Sequence, residues 1–462
     1  MSAKKAVDLG SGNVRKLLFS LALPTITSQI VNMLYNLVDR IYIGHMQPAE
    51  TVGKLALTGV GVCLPIILVI SAFAALIAMG GAPKASISEG RGDLKAAEHI
   101  MGNSFSLLVL ASVILTAVFQ LFAEPLLLTF GASENTIGYA LDYLRIYTLG
   151  TIFVQMTLGM NAYITAQGFT TVSMKTVLIG AILNTLLDPI LIFVLGLGVR
   201  GAALATILSQ AVSAVWVLRF LTGPRTKWRL RRVNLKPVPS VFLPCLALGL
   251  APFIMQSTES LISVCFNSSL LKYGSDIAVC AMTVLISIMQ LAMMPLQGLT
   301  QGAQPIISYN YGARNAQRVR DAFRCLLISC VTYSMTLWAL VQFFPRLFAL
   351  LFSSAPELVS YAAWALRIYM AATGIFGVQI ACQQTFIALG NAKTSLFLAI
   401  LRKIILLIPL IYILPHFFTS KVFAVFLAEP VADTLAVCTT ATMFAVRFRR
   451  SMRELEQPGG AA

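Results

Sequence analysis

Long apolar runs dominate the chain, separated by short stretches rich in glycine, proline and charge. A helix that crosses a bilayer needs about 20 mostly apolar residues, and runs bounded in this way predict helices. They fall over 17–45, 55–82, 97–121, 139–167, 172–196, 201–221, 240–271, 276–304, 320–343, 357–388, 394–415 and 422–445. The pattern predicts an all-α membrane protein with 12 transmembrane helices. Composition points the same way: 58% of the 462 residues are hydrophobic and 11% charged, whereas a soluble domain is roughly a quarter charged. A water-soluble enzyme, a secreted disulfide scaffold and a disordered protein are excluded.

An even number of spans puts both termini on one side. The termini and even-numbered links then carry 24 Lys and Arg, the opposite links five (Lys54, Arg200, Lys272, Arg346 and Lys421). That bias predicts a multi-pass protein with both termini cytoplasmic. It also accounts for the formal net charge of +16 without nucleic acid, since the lipid bilayer is the partner. The N-terminal Lys4, Lys5, Arg15 and Lys16 precede an apolar run with no small-residue cleavage site, which predicts an uncleaved first span.

The chain repeats itself at an offset of 222. Leu144-Arg145-Ile146-Tyr147 recurs as Leu366-Arg367-Ile368-Tyr369. Gly80, Pro83, Ser86 and Gly90 fall on Gly302, Pro305, Ser308 and Gly312, while Ala166, Gly168 and Ser173 fall on Ala388, Gly390 and Ser395. Three separate segments in one register predict two pseudo-symmetric six-helix lobes. The expected organisation is a cytoplasmic N-terminus (1–16), an N-terminal lobe (17–221), a basic cytoplasmic linker (222–239), a C-terminal lobe (240–445) and a cytoplasmic tail (446–462). Parallel halves of this kind flank a path that opens alternately to either side. A transporter is therefore expected, not an enzyme.

Polar groups inside these spans are the candidate chemistry, because a charge at the bilayer centre costs ~2.5–3.5 kcal/mol and needs a partner or a function. Gln29, Asn32, Asn36 and Asp39 share one face of the first span, and Asn184 and Asp188 share one face of the fifth, just before Pro189. Counting residues from the span ends puts the two aspartates within ~3 Å of the same depth. Two carboxylates among amides can share a proton or coordinate Na⁺ through oxygen. The bland alternatives are that Asp39 pairs with Arg40 and that Asp188 serves a helix break.

The second half does not copy these acids. Instead Gln256, Glu259, Ser263 and Asn267 share a face of span 7, Glu429 and Asp433 share a face of span 12, and Arg402 and Lys403 lie in span 11. The last four read as an internal ion-pair network. Glu259 has no basic neighbour in its own span, leaving it open as a substrate or proton group. Gln379, Gln383 and Gln384 make span 10 unusually polar, and Asp142 with Arg145 reads as a local pair in span 4.

Other signals fall away. Gly196-Leu197-Gly198-Val199-Arg200-Gly201 spells GxGxxG, but no acid occurs between Asp188 and Glu259 to hold a ribose. The eight cysteines all lie in apolar stretches, and the three histidines are far apart, so neither redox nor metal chemistry is legible. No cofactor is expected.

The residues do carry a likeness. Leu23-Pro24 with Val38-Asp39-Arg40 and Ile43-Gly44, Asn184-x-x-x-Asp188-Pro189 followed by Gly201-Ala202-Ala203-x-Ala205-Thr206, and Gly302-Ala303-Gln304-Pro305 with Tyr309-Asn310-Tyr311-Gly312 resemble the multidrug and toxic compound extrusion (MATE) family. The likeness runs from about 15 to 450. It implies a secondary antiporter of a bacterial inner membrane that expels cationic amphipathic drugs or toxins in exchange for H⁺ or Na⁺; a monomer is expected. It further implies a cation-coupling site at Asp39, Asn184 and Asp188, where Na⁺ could bind. Gln29, Asn32, Asn36, Gln256, Glu259 and Gln379 are the expected substrate-binding residues. The rival within the same superfamily of folds is a flippase for lipid-linked saccharide intermediates, which would need cations such as Arg402 and Lys403 to face its cargo.

Overall fold

A computed structural model describes residues 7–47, 49–352 and 355–457. Among the described residues it holds helices and no strand. Helices suit hydrocarbon surroundings because most of their backbone polar groups are satisfied within the segment.

Among the described residues, the longer helices group into twelve successive segments. They are α1 (Val14–Gly44), α2 (Lys54–Gly90), α3 (Leu94–Leu121), the broken α4 (Ile137–Leu149, Thr151–Gln155 and Asn161–Ala166), α5 (Thr170–Pro189) and α6 (Val199–Thr222). The second set is α7 (Pro239–Tyr273), α8 (Asp276–Gly312), α9 (Ala316–Phe343), the bent α10 (Pro356–Tyr369 and Thr373–Ala388), α11 (Ala392–Ile400, running on through wide turns at Leu401–Leu407 to Ile413) and α12 (Lys421–Glu456). Among the described residues, ten helices are individually long and apolar enough to cross a membrane, and the α10 pair, bent by 51°, makes an eleventh. The remaining expected span, 139–167, is α4. It breaks at Gly150, where a side chain would sit 2.4 Å from Ile207 of α6, so only glycine allows that approach. The all-α architecture expected from the apolar runs is the one observed.

The repeat reaches down to single hydrogen bonds. Asp93 caps α3 by accepting from the Ala96 amide at 2.9 Å, and Asn315, 222 positions on, caps α9 by accepting from Arg318 at 3.1 Å. The Gln120 amide donates to the Arg145 carbonyl at 2.6 Å, and Gln342 donates to the Arg367 carbonyl at 2.9 Å. The α4 break at Gly150 recurs in α10 at Ala372, and the short helix Ala123–Thr129 recurs as Pro345–Leu350. Gly92 and Arg314 also correspond. Both have positive φ, 84° and 56°, so the arginine holds a backbone form that favours glycine because the turn into α9 requires it.

Two compact units emerge. One is built on Leu23–Gln256, the other on Leu9–Ala22 together with the chain from Ser257 onward. The division falls inside α1 and α7, not in the 222–239 segment. In the first unit the start of α7 seats against α2. A side chain at Gly249 would lie 1.7 Å from the Leu76 carbonyl, and one at Gly80 would lie 1.9 Å from the Cys245 carbonyl. The core of this unit gathers Ile43, Ile66, Tyr143, Leu144 and Ile192 in one cluster, and Met101, Tyr163, Ile164 and Trp228 in another. In the second unit the start of α1 lies against Gly302 of α8. Its largest cluster runs through Phe266, Met282, Leu285, Leu366 and Phe426.

The basic linker expected over 222–239 is tied to the first unit. Gln167 Oε1, fully buried, accepts from Thr226 Oγ1 (2.7 Å) and from the amides of Lys227 (2.8 Å) and Trp228 (3.1 Å). Trp228 is itself fully buried.

Candidate functional site

In the first unit, α1 and α5 bring their acids together. Asp39 is 8% exposed, Asn184 1% and Asp188 0%. On α5 the i, i+4 spacing buries Asn184 and Asp188 together, whereas among Gln29, Asn32, Asn36 and Asp39 on the polar face of α1 only Asp39 is buried. The i, i+4 spacing of Asn184 and Asp188 lets the Asn184 amide donate to Asp188 Oδ1 at 3.2 Å. Asp188 lies within electrostatic range of Asp39. Pro189 closes the regular part of α5, and the chain continues in wide turns at Ile190–Val194.

Three tyrosines wall this cluster. Tyr35, one turn before Asp39, and Tyr143 on α4 both lie in the field of the Asp39 carboxylate. Tyr143 stacks on Tyr147 with ring centroids 5.9 Å apart, and its hydroxyl pairs with Thr206 of α6.

The decisive feature is a set of buried oxygens without donors. Asp39 Oδ1, Asn184 Oδ1 and Asp188 Oδ2 have no hydrogen-bond partner, nor has Gln210 Oε1 on α6. Buried polar atoms are otherwise nearly always paired. No ion pair reaches either aspartate among the described residues, and Arg40 is exposed, so the expected alternative of an Asp39–Arg40 pair is not formed. Two formal negative charges and buried oxygen acceptors without donors are what a proton or a hard monovalent cation would satisfy. A cluster of three or more His, Cys, Asp or Glu able to hold a metal ion does not occur among the described residues, so any Na⁺ here would take amide or hydroxyl oxygens as well.

In the second unit the buried charges are paired, although Glu429 Oε2 is left without a partner. Arg402 donates from Nε to Asp433 Oδ1 at 2.7 Å and from Nη2 to Glu429 Oε1 at 3.2 Å, and its guanidinium lies 4.4 Å from the Phe376 ring centre. Lys403, adjacent on the wide turns of α11, donates to Glu259 Oε1 at 2.7 Å. Glu259 therefore has a basic partner, contrary to the reading along its own helix, and the expected four-residue network is instead an Arg402 triad beside a separate Lys403–Glu259 pair. The pair is lopsided: the Glu259 side chain is 54% exposed and that of Lys403 7%. Asp142 likewise bonds Arg200 at 2.9 Å, not its helical neighbour Arg145.

The other expected substrate residues are distributed as follows. Gln29 and Asn32 are half-buried on α1, while Asn36 is exposed and donates to the Asn32 carbonyl at 2.7 Å. Gln256 is half-buried on α7. Gln379 is buried on α10, donates to Gln383 at 3.1 Å and leaves its own Oε1 without a donor. Tyr35, Tyr143 and Gln210 are not among the residues expected from the sequence, and Thr206 enters there only as part of a family motif. Tyr35 carried a usable signal, since it sits four residues before Asp39 on the same helix face.

Against known proteins, the family model described as MatE matches residues 24–190 and 252–413. The chain is 24% identical over 427 residues to the multidrug export protein MepA of Staphylococcus haemolyticus (strain JCSC1435), spanning 92% of this chain and 93% of that protein. It is also 24% identical over 441 residues to MepA of Staphylococcus aureus (strain NCTC 8325 / PS 47), covering 95% and 94%. Among solved structures, a MATE crystal structure in the bent conformation superposes with a TM-score of 0.91 at 23% identity, covering 99% of this chain and 100% of that one. An outward-facing multidrug resistance MATE family transporter gives 0.90 at 24%, again covering 99% and 100%.

Proposed function

The chain belongs to the MATE family of membrane transporters, and from that premise we propose that it is a secondary antiporter exporting cationic amphipathic drugs or toxins in exchange for H⁺ or Na⁺. It is a transporter and not an enzyme. The observation that carries the coupling assignment is the buried Asp39, Asn184 and Asp188 cluster, with one unpartnered oxygen on each residue and no ion pair on either acid among the described residues.

The proposed cycle follows from charge. With no cation bound, two carboxylates share a buried site and attract positive charge. Binding H⁺ or Na⁺ supplies the missing partner and relieves their repulsion. Each cation state thereby favours a different packing of α1 against α5, and the ion can shift the carrier only by its differential affinity for those packings. Linkage is reciprocal: if the coupling ion lowers affinity for a cationic substrate, the substrate lowers affinity for the ion by the same factor. Gln29, Asn32, Asn36, Gln256, Glu259 and Gln379 are proposed to contact substrate, with Glu259 as the acidic group. The protein acts as a monomer in a bacterial inner membrane with both termini cytoplasmic, and it needs no cofactor.

A flippase for lipid-linked saccharides would need free cations facing an anionic cargo. Arg402 and Lys403 are each bonded to carboxylates, so that reading finds no support in them. The test is resistance of cells producing Asp39→Asn or Asp188→Asn to a cationic dye, with membrane insertion checked separately. Loss of resistance in inserted protein is expected, and full resistance in both variants would overturn the assignment.

A further inference from the structure

The 223–238 segment is built more firmly than a connection between helices requires. Besides the three bonds converging on Gln167, Lys227 pairs with Glu89 at 3.0 Å, while Glu98 accepts from the Arg229 amide (2.9 Å) and pairs with Arg231 (3.1 Å). Asn103 Oδ1 accepts from the Val238 amide at 2.6 Å, and its Nδ2 donates to the Asn234 carbonyl at 3.4 Å. Gly102 leaves room for that carbonyl, since a side chain there would meet it at 2.4 Å. The segment is a strap held on α2, α3 and the end of α4.

Its outward side is of another character. Arg225, Arg229, Arg232 and Lys236 are exposed, and none of their side chains forms an ion pair or hydrogen bond among the described residues. Between them, on the short 3₁₀ turn Arg232–Leu235, Val233 is 82% exposed. Depth follows from α3. That helix opens with Lys95, Glu98, His99 and Asn103 before its apolar run, and the strap is bonded to Asn103 and Ser106. The turn therefore sits at the level where α3 passes from the polar to the apolar layer of the bilayer.

We propose that this strap is a preformed docking face for anionic phospholipid headgroups on the side of the membrane that carries the termini. The four cations meet the phosphates, and Val233 enters the acyl boundary. Basic residues at the membrane surface attract anionic lipid, and an exposed apolar side chain among cations suits the interface plane. Because the strap is already ordered by its own hydrogen bonds, lipid binding loses little conformational freedom. The inference stands whatever ion drives transport.

The experiment uses the full chain in vesicles of phosphatidylcholine alone or mixed with phosphatidylglycerol, following the unfolding midpoint and the phosphatidylglycerol retained after mild extraction. Wild type is expected to melt higher and retain lipid in the mixed vesicles. The combined Arg225→Gln, Arg229→Gln, Arg232→Gln and Lys236→Gln variant should lose most of that increment and that lipid, with an unchanged midpoint in phosphatidylcholine. Arg449→Gln with Arg453→Gln, on α12, should keep both. If the fourfold variant is less stable in phosphatidylcholine itself, Arg232→Gln with Lys236→Gln replaces it under the same comparison. A strap variant that keeps the full increment, or α12 changes that remove it equally, would overturn the proposal.

Discussion

Replacing Arg402 by methionine isolates the energetic role of the second unit's charges. The guanidinium bonds two carboxylates at 2.7 and 3.2 Å, with the side chains of Arg402, Asp433 and Glu429 only 9%, 4% and 5% exposed. Methionine keeps much of the volume and the contact with Phe376 but leaves both acids buried without a cation. Breaking a buried pair from one side costs about 3–5 kcal/mol, roughly two to three and a half powers of ten in the folded ratio. The assay is thermal unfolding of purified protein in detergent, followed by intrinsic fluorescence and size-exclusion. Arg402→Met should melt well below wild type. Adding Glu429→Gln and Asp433→Asn should recover most of the loss, because the uncompensated charges are then gone. A single variant as stable as wild type, or a triple variant no better than the single one, would refute the argument.

Other consequences are equally direct. Lys403→Gln frees the half-exposed Glu259, and apparent affinity for a cationic dye should rise about 2- to 5-fold; a dye-binding titration checks this, and adding Glu259→Gln should cancel the gain. Gln167→Ala removes an acceptor shared by three donors, so hydrogen exchange at the Lys227 and Trp228 amides should speed up while that of distant α12 amides stays unchanged. Gly249→Val would push a side chain into the Leu76 carbonyl, from which even an added Cβ would lie only 1.7 Å away; the protein should fail to give a monodisperse size-exclusion peak, whereas Gly61→Ala, in open space, should behave as wild type.

Much of this architecture is legible in the sequence because a bilayer penalises local error so strongly. Apolar runs long enough to span can do little else, and Asp39 and Asp188 stand out because they interrupt such runs. The 222-residue register likewise exposes pairs such as Gly80 and Gly302 before any coordinates are seen. What stays hidden depends on partners distant along the chain. Lys403 meets Glu259 from 144 positions away, and Arg200 takes Asp142 from 58 away, so reading neighbours along one helix misses both. The α4 break is also hidden: glycine stands at its centre, but alanine stands at the matching break in α10, and packing between helices fixes both. The strap on Gln167 and Asn103 reads as a basic link because many of its anchors are backbone amides and carbonyls and its side-chain partners lie far away along the chain.

The central claim is that a cation bound at Asp39, Asn184 and Asp188 drives export. Its most direct test is efflux of a fluorescent cationic dye from proteoliposomes of uniform orientation, with a proton gradient or a Na⁺ gradient imposed in turn. The account predicts dye movement driven by one of the two gradients, ion movement in the opposite direction when a dye gradient is imposed instead, and loss of both in Asp39→Asn protein that still reconstitutes. Gradient-driven efflux that persists undiminished in Asp39→Asn and Asp188→Asn would contradict it.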